Sequence, residues 1–393
     1  MAEHNPITDA EQEFEEITLN EELEELTTSG TDLAFNVGRL FLVLFLFLVS
    51  LNVMSGSFKL FGEGFAEQLV EIAANPFISL FIGMLATAVI QSSSTTTTLI
   101  VSLVAAGKLS LIGAVPMIMG ANIGTSVTST IVSLGHIGNK NEYEKAISAA
   151  SVHDFFNIIT VIVLFTIETT THALSNISDY LAILVEPQEG EKVGGILFFV
   201  KDTSKWIIEM TDHNPYVSLP LGLLALFFSL QFLTKILKRL VIGKIEHNMN
   251  RFLFAKPIIS LLTGFAATTA VQSSSVTTSL IVPLVATDKI TLERAFPFLM
   301  GSNIGTTTTA LMAGIFMDGP AATTAMAVAF AHLLFNLFGV CILFPIKKVR
   351  QIPIALAEGL GKLTLKNRLY GVAYVVIVFF VIPFSLIFLS QKM

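Results

Sequence analysis

Two polar runs interrupt apolar surroundings. Gln91, Ser92, Ser93 and Ser94 continue into Thr95, Thr96, Thr97 and Thr98; Gln272, Ser273, Ser274 and Ser275 continue into Val276, Thr277, Thr278 and Ser279. Such hydroxyls and amides are costly in an apolar slab unless they line protein or water. Two kinds of ligand suit them. Oxygen atoms coordinate a hard cation such as Na⁺. Helix N-termini with free N–H groups hold an oxyanion through the dipole and hydrogen bonds. A lone run is equally well read as hydroxyls bonded to the preceding turn or to a neighbouring helix. Two runs, each opening on glutamine, favour a shared site.

A second pair of motifs follows each run. Gly120-Ala121-Asn122-Ile123-Gly124-Thr125 and Gly301-Ser302-Asn303-Ile304-Gly305-Thr306 place two glycines and an asparagine in an apolar segment. Glycine permits unwinding, and asparagine with freed carbonyls supplies oxygen ligands. Close packing through small residues is the other reading. The third feature is Asp154, in the apolar segment Val152-His153-Asp154-Phe155-Phe156-Asn157. An intramembrane carboxylate is a candidate cation ligand or proton carrier. His153 and His332 fit packing or hydrogen-bond roles better than titration.

The elements that must position these residues are membrane helices. The 393 residues are 53% hydrophobic and 13% charged, with mean hydropathy +0.73, against about a quarter charged in a soluble domain. Apolar stretches fall at 33–54, 76–106, 111–134, 146–168, 214–242, 257–287, 292–316, 321–345 and 368–390. As one helix, 76–106 would be about 46 Å long, against about 30 Å of hydrocarbon. Two half-length arms meeting at the polar run fit better, so 76–106 and 257–287 read as re-entrant hairpins. Residues 1–30 carry ten acidic residues and no Lys or Arg, which reads as a solvated acidic tail over 1–32.

The chain repeats itself. Residues 76–128 align without gaps with 257–309, and 30 of the 53 positions are identical. A two-residue shift then pairs His153 with His332 and Asn157 with Asn336, whereas Asp154 meets Leu333. The organisation expected is a tail (1–32), a first membrane helix with an interfacial segment (33–75), repeat 1 (76–168), and an outward loop with a linking helix and basic loop (169–256). Repeat 2 (257–345) and a basic loop with the last membrane helix (346–393) follow. The loops at 235–256 and 346–368 are rich in Lys and Arg and should be cytoplasmic. Counting crossings then starts the first hairpin outside and the second inside, with the N-terminus cytoplasmic and the C-terminus outward. The fold class expected is an all-α polytopic membrane protein of two inverted-topology repeats, each with a re-entrant hairpin and a broken transmembrane helix, as in secondary transporters. Ala106-Gly107-Lys108-Leu109 lacks the glycine spacing of a phosphate-binding loop, and no catalytic constellation is visible, so an enzyme is not expected. From the residues alone, the reading is a cation-coupled carrier of a small polar solute, with a passive pore as the alternative.

The paired QSSS runs, each followed by G-[AS]-N-I-G-T, together with VHDFFN, resemble the type II sodium-phosphate cotransporters over roughly 33–390. That resemblance implies Na⁺-coupled, alternating-access uptake of inorganic phosphate. Phosphate would sit between the turns at Ser92, Ser93, Ser94, Ser273, Ser274 and Ser275, with Asn122 and Asn303 beside it. Na⁺ would be held by Gln272, Ser273, Thr306 and Thr309 with Thr125, and by Asp154 and Gln91. The Asp of VHD marks electrogenic members. Those usually carry a small residue, Ala, six and four positions earlier; here the positions are Ser148 and Ala150, so Ser148 departs from the pattern. The long outward loop of animal members is absent, which implies a bacterial cytoplasmic-membrane protein. The partners implied are phosphate, Na⁺ and membrane lipid, with no nucleic acid and no cofactor beyond the coupling ion; the oligomeric state is left open.

Overall fold

The computed structural model describes residues 30–61, 63–185, 196–248, 256–317 and 321–390. The expected acidic tail lies outside them but for its last residues. The described residues form helices joined by short turns, without strands. Six helices are long and apolar enough to cross a membrane, so the chain is an all-α polytopic membrane protein.

The first helix, α1, spans Gly30–Leu60, and α2 (Glu63–Ala74) leads into the first hairpin. Its arms are α3 (Pro76–Ile90) and α4 (Ser93–Ala105). Pro76 sits where a helix needs no N–H, and the Asn75 side chain caps the first turn. At 15 residues, α3 is about 22 Å long, short of a full crossing. The pair α5 (Leu111–Gly124) and α6 (Val127–Leu134) follows, then the long α7 (Lys140–Thr171). The second repeat builds α11 (Pro257–Val271), α12 (Ser274–Ala286), α13 (Leu292–Ile315) and α14 (Ala322–Leu343).

Between the repeats lie α8 (Ala173–Val185), α9 (Ile196–Met210) and α10 (Pro215–Asn248). After them come α15 (Lys347–Lys366), α16 (Leu369–Val376), a π-helical turn over Ile377–Val381, and α17 (Ile382–Ser390).

Packing follows the duplication. The first hairpin arm of each repeat lies along the next helix of its own repeat, α3 on α5 and α11 on α13. Glycine allows the close approach. A Cβ on Gly120 would strike the Leu80 carbonyl, and one on Gly301 would strike the Leu261 carbonyl. The second arms do the reverse: α4 packs on α13 and α14, and α12 on α6 and α7. The repeats therefore interlock, and both QSSS turns sit at their junction.

Four expectations change. The second repeat has no broken helix, because α13 runs unbroken through Gly301–Thr306. Its glycines serve close packing rather than unwinding, and its threonine hydroxyls bond back to Ser302, Ile304 and Gly305 carbonyls without interrupting the helix. Only repeat 1 breaks, at Thr125 and Ser126. The stretch 169–213, expected as loop, forms α8 and α9 in its described parts. Glu168 makes α8 possible: its buried carboxylate accepts from the Leu174 and Ser175 N–H groups and the Ser175 hydroxyl. The basic stretch 346–368 is mostly α15, which buries Ile354, Ala357, Gly361 and Thr364 at helical spacing against α7. The basic loop at 235–256 is helical as far as Asn248. Residues 249–255, Arg251 among them, lie outside the described residues.

Candidate functional site

Each QSSS turn has the same backbone. Helix α3 ends at Gln91 with φ 59°, and Ser92 is extended (φ −148°, ψ 103°) as the cap of α4. Helix α11 ends at Gln272 with φ 56°, and Ser273 repeats the cap (φ −152°, ψ 107°). A left-handed residue other than glycine costs about 1–2 kcal/mol, and glycine or asparagine is usual there. Gln272 shows why an amide is retained. Its Oε1 accepts from Thr309 Oγ1 at 2.7 Å, and its Nε2 donates to the Thr269 carbonyl at 2.6 Å and to Thr308 Oγ1 at 3.1 Å. Gln91 has the same conformation but is exposed. The glutamines are alike in backbone and unlike in side-chain bonding.

The cap hydroxyls hold the turns. Ser92 Oγ accepts from the Thr95 N–H at 3.2 Å and from Thr95 Oγ1 at 2.8 Å. Ser273 Oγ accepts from the Val276 N–H at 3.5 Å. The first-turn N–H groups of α4 and α12 have no acceptor within a helix.

A cavity of about 380 Å³ lies between the turns. Its lining includes Gln91, Ser92, Ser93 and Ser94 from one repeat and Gln272, Ser273, Ser274 and Ser275 from the other. Ile90, Thr95, Thr128 and Val276 join them, and α10 closes the wall with Phe227, Leu230 and Gln231. No charged side chain is among these. Thr128 and the α10 residues were missed in the sequence. Gln231, a lone amide in an apolar run, carried a usable signal; Phe227 and Leu230 carried none.

Asn122 and Asn303 do not line this cavity. They join the repeats. Asn303 Nδ2 donates to Asn157 Oδ1 at 2.8 Å, and Asn303 Oδ1 meets the His153 ring. In the mirrored set, Asn336 Nδ2 donates to Asn122 Oδ1 at 3.1 Å, and His332 Nε2 lies 3.3 Å from the same oxygen. Asn157 also donates to the Asn122 carbonyl at 2.8 Å. Closer to the cavity, the Ser129 and Thr278 hydroxyls pair across the repeats at 2.9 Å.

The expected cation residues fall in two places. Gln272, Ser273 and Thr309 are together, with Thr306 on the same helix and bonded back to the Ser302 carbonyl at 3.0 Å. Thr125 bonds back to the Ala121 carbonyl at 3.0 Å and ends α5 at the break. Asp154 is fully buried and away from the cavity lining. Its neighbours are the Ser126 and Tyr374 hydroxyls, which approach the carboxylate without meeting the full geometry of a hydrogen bond. Ser148, which departs from the family pattern, bonds to the Glu144 carbonyl at 2.7 Å and packs on Gly361 of α15.

The family described as Na⁺/Pi-cotransporter matches residues 46–185 and 225–389. The human sodium-dependent phosphate transport protein 2B is 32% identical over 93% of this chain and 67% of its own length. The mouse sodium-dependent phosphate transport protein 2A is 30% identical over 98% of this chain and 72% of its own. The rat 2A protein is 30% identical over 88% and 66%. The chain thus spans about two-thirds of the length of these relatives. No solved structure matches it.

Proposed function

The chain belongs to the Na⁺/Pi-cotransporter family, and from that premise we propose that it is a symporter coupling Na⁺ influx to uptake of inorganic phosphate, not an enzyme. The observation that carries the reading is the uncharged cavity between the QSSS turns. Phosphate there would accept from the first-turn N–H groups and the serine hydroxyls of α4 and α12. Two helix N-termini supply partial positive charge. No Lys or Arg lines the cavity to neutralise a divalent anion, which supports a role for bound cations there.

The Gln272 cluster is the first Na⁺ position proposed, with Ser273, Thr306, Thr309 and Thr125 contributing oxygen; Gln91 faces the same cavity from the other turn. Asp154 is the charge-setting ligand that makes the cycle electrogenic. The interlocked second arms support an alternating-access cycle. A tilt of one repeat carries the other's hairpin with it and opens the cavity to one side at a time, the two repeats being inverted across the bilayer. The basic segments support an N-terminus in the cytoplasm and a C-terminus outside; the membrane proposed is a bacterial cytoplasmic membrane.

The test is radiolabelled phosphate uptake into proteoliposomes under an imposed Na⁺ gradient. Saturable uptake that collapses when choline replaces Na⁺ is expected. Uptake indifferent to that replacement would overturn the proposal. Competition by sulfate, arsenate and succinate reports the anion selectivity.

A further inference from the structure

Asp154 has a partner on the last membrane helix. Tyr374 lies on α16, and its ring centroid is 6.0 Å from that of Phe155 and 6.1 Å from that of Phe379. Its phenol is within electrostatic reach of the Asp154 carboxylate. Asp154 is fully buried, Tyr374 is half-buried with its hydroxyl oxygen shut away from solvent, and the two groups approach each other without the full geometry of a hydrogen bond. Asp154 is in no described ion pair. An unpaired buried carboxylate is expensive, and so is an unsatisfied phenol beside it. A packed core would remove such a pair, whereas a cation would need it.

The backbone points the same way. The break between α5 and α6 brings Ser126 to this carboxylate. In repeat 2 the aligned helix α13 is continuous, and the residue matching Asp154 is Leu333. Break and acid occur together or not at all. The π-helical turn over Ile377–Val381 begins three residues after Tyr374, and such turns cluster at functional sites.

We propose that Tyr374 is a cation-site residue, its phenol oxygen joining the Asp154 carboxylate and the Ser126 hydroxyl in one oxygen set for Na⁺. The inference rests on the Na⁺ coupling proposed above and extends the site to the last membrane helix.

The test is Tyr374→Phe in the full chain, which keeps the ring packed on Phe155 and Phe379. In proteoliposomes, the Na⁺ concentration for half-maximal phosphate uptake should rise about tenfold. The maximal rate at saturating Na⁺ should stay within about twofold, because the phosphate cavity is untouched. In detergent without phosphate, stabilisation against heating should need correspondingly more Na⁺ at constant ionic strength. A purely structural tyrosine would instead lower the melting temperature equally with and without Na⁺, and that result overturns the proposal. An Na⁺ activation curve superimposing on wild type overturns it too. If Tyr374→Phe does not fold, Ser126→Ala is measured in its place, and its unchanged activation curve is equally fatal. Wild-type uptake indifferent to Na⁺ would sink both this inference and the coupling itself, so the two failures are told apart by the wild-type control.

Discussion

Asn303 donates through Nδ2 to Asn157 Oδ1 at 2.8 Å, from the second repeat into the first. At the equivalent pair Asn336 Nδ2 donates to Asn122 Oδ1 at 3.1 Å, again from the second repeat into the first. All four side chains are buried. Each repeat thus grips the other through the same residue types at equivalent positions. These asparagines hold the frame in which the QSSS turns face one another.

Asn303→Ala should therefore cost stability first. It leaves Asn157 and His153 without their partner, and an unsatisfied buried polar group costs about 1–3 kcal/mol. Thermal unfolding in detergent should show a clear drop, and a double-mutant cycle with Asn157→Ala should show strong coupling. A variant with wild-type stability but collapsed phosphate affinity would return Asn303 to the ligands.

Gln272 and Gln91 should respond unequally. Gln272→Ala removes bonds to Thr309, Thr308 and the Thr269 carbonyl and leaves a left-handed residue with nothing to hold it. Na⁺-driven uptake should be lost. Gln91→Ala removes no bond inside the protein and should weaken uptake by a few-fold at most. Equal losses in the two variants, measured as uptake per folded transporter, would contradict the asymmetry.

The hairpins, the duplication and the polar turns were legible because they depend on local signals: segment length, half-span position and residue identity at a fixed offset. The roles of Asn122 and Asn303 were not, because a buried amide looks the same whether it meets a ligand or another helix. Helix α15 was hidden by its charge. Its buried stripe is Pro353, Ile354, Ala357, Gly361 and Thr364 on a helix that lies along α7, and such a stripe is too thin to read as a membrane span. The continuity of α13 was hidden because glycine serves unwinding and close packing alike, and the deciding neighbour, the Leu261 carbonyl, is far off in sequence. Tyr374 belongs to the last apolar run, where nothing local links it to Asp154.

Gly301→Ala and Gly120→Ala should both fail on packing. The added methyl meets a carbonyl of the hairpin arm, Leu261 or Leu80, which cannot move without its helix. Overpacking costs about 1–3 kcal/mol or more. Low yield of monodisperse protein in size-exclusion chromatography is expected for each. Well-folded protein from either variant would show that the arms have slack.

Asp154→Gly tests charge coupling. If the carboxylate brings one cation into each cycle, removing it removes one positive charge from the net transfer. Each net charge is worth about 2.3 kcal/mol per 100 mV of membrane potential. Wild-type uptake should therefore accelerate when potassium and valinomycin set an inside-negative potential. The variant should still accumulate phosphate down an Na⁺ gradient, at a rate indifferent to that potential. Full voltage dependence in Asp154→Gly would show that another group sets the charge. Loss of all uptake in folded protein would make Asp154 a ligand the cycle cannot proceed without.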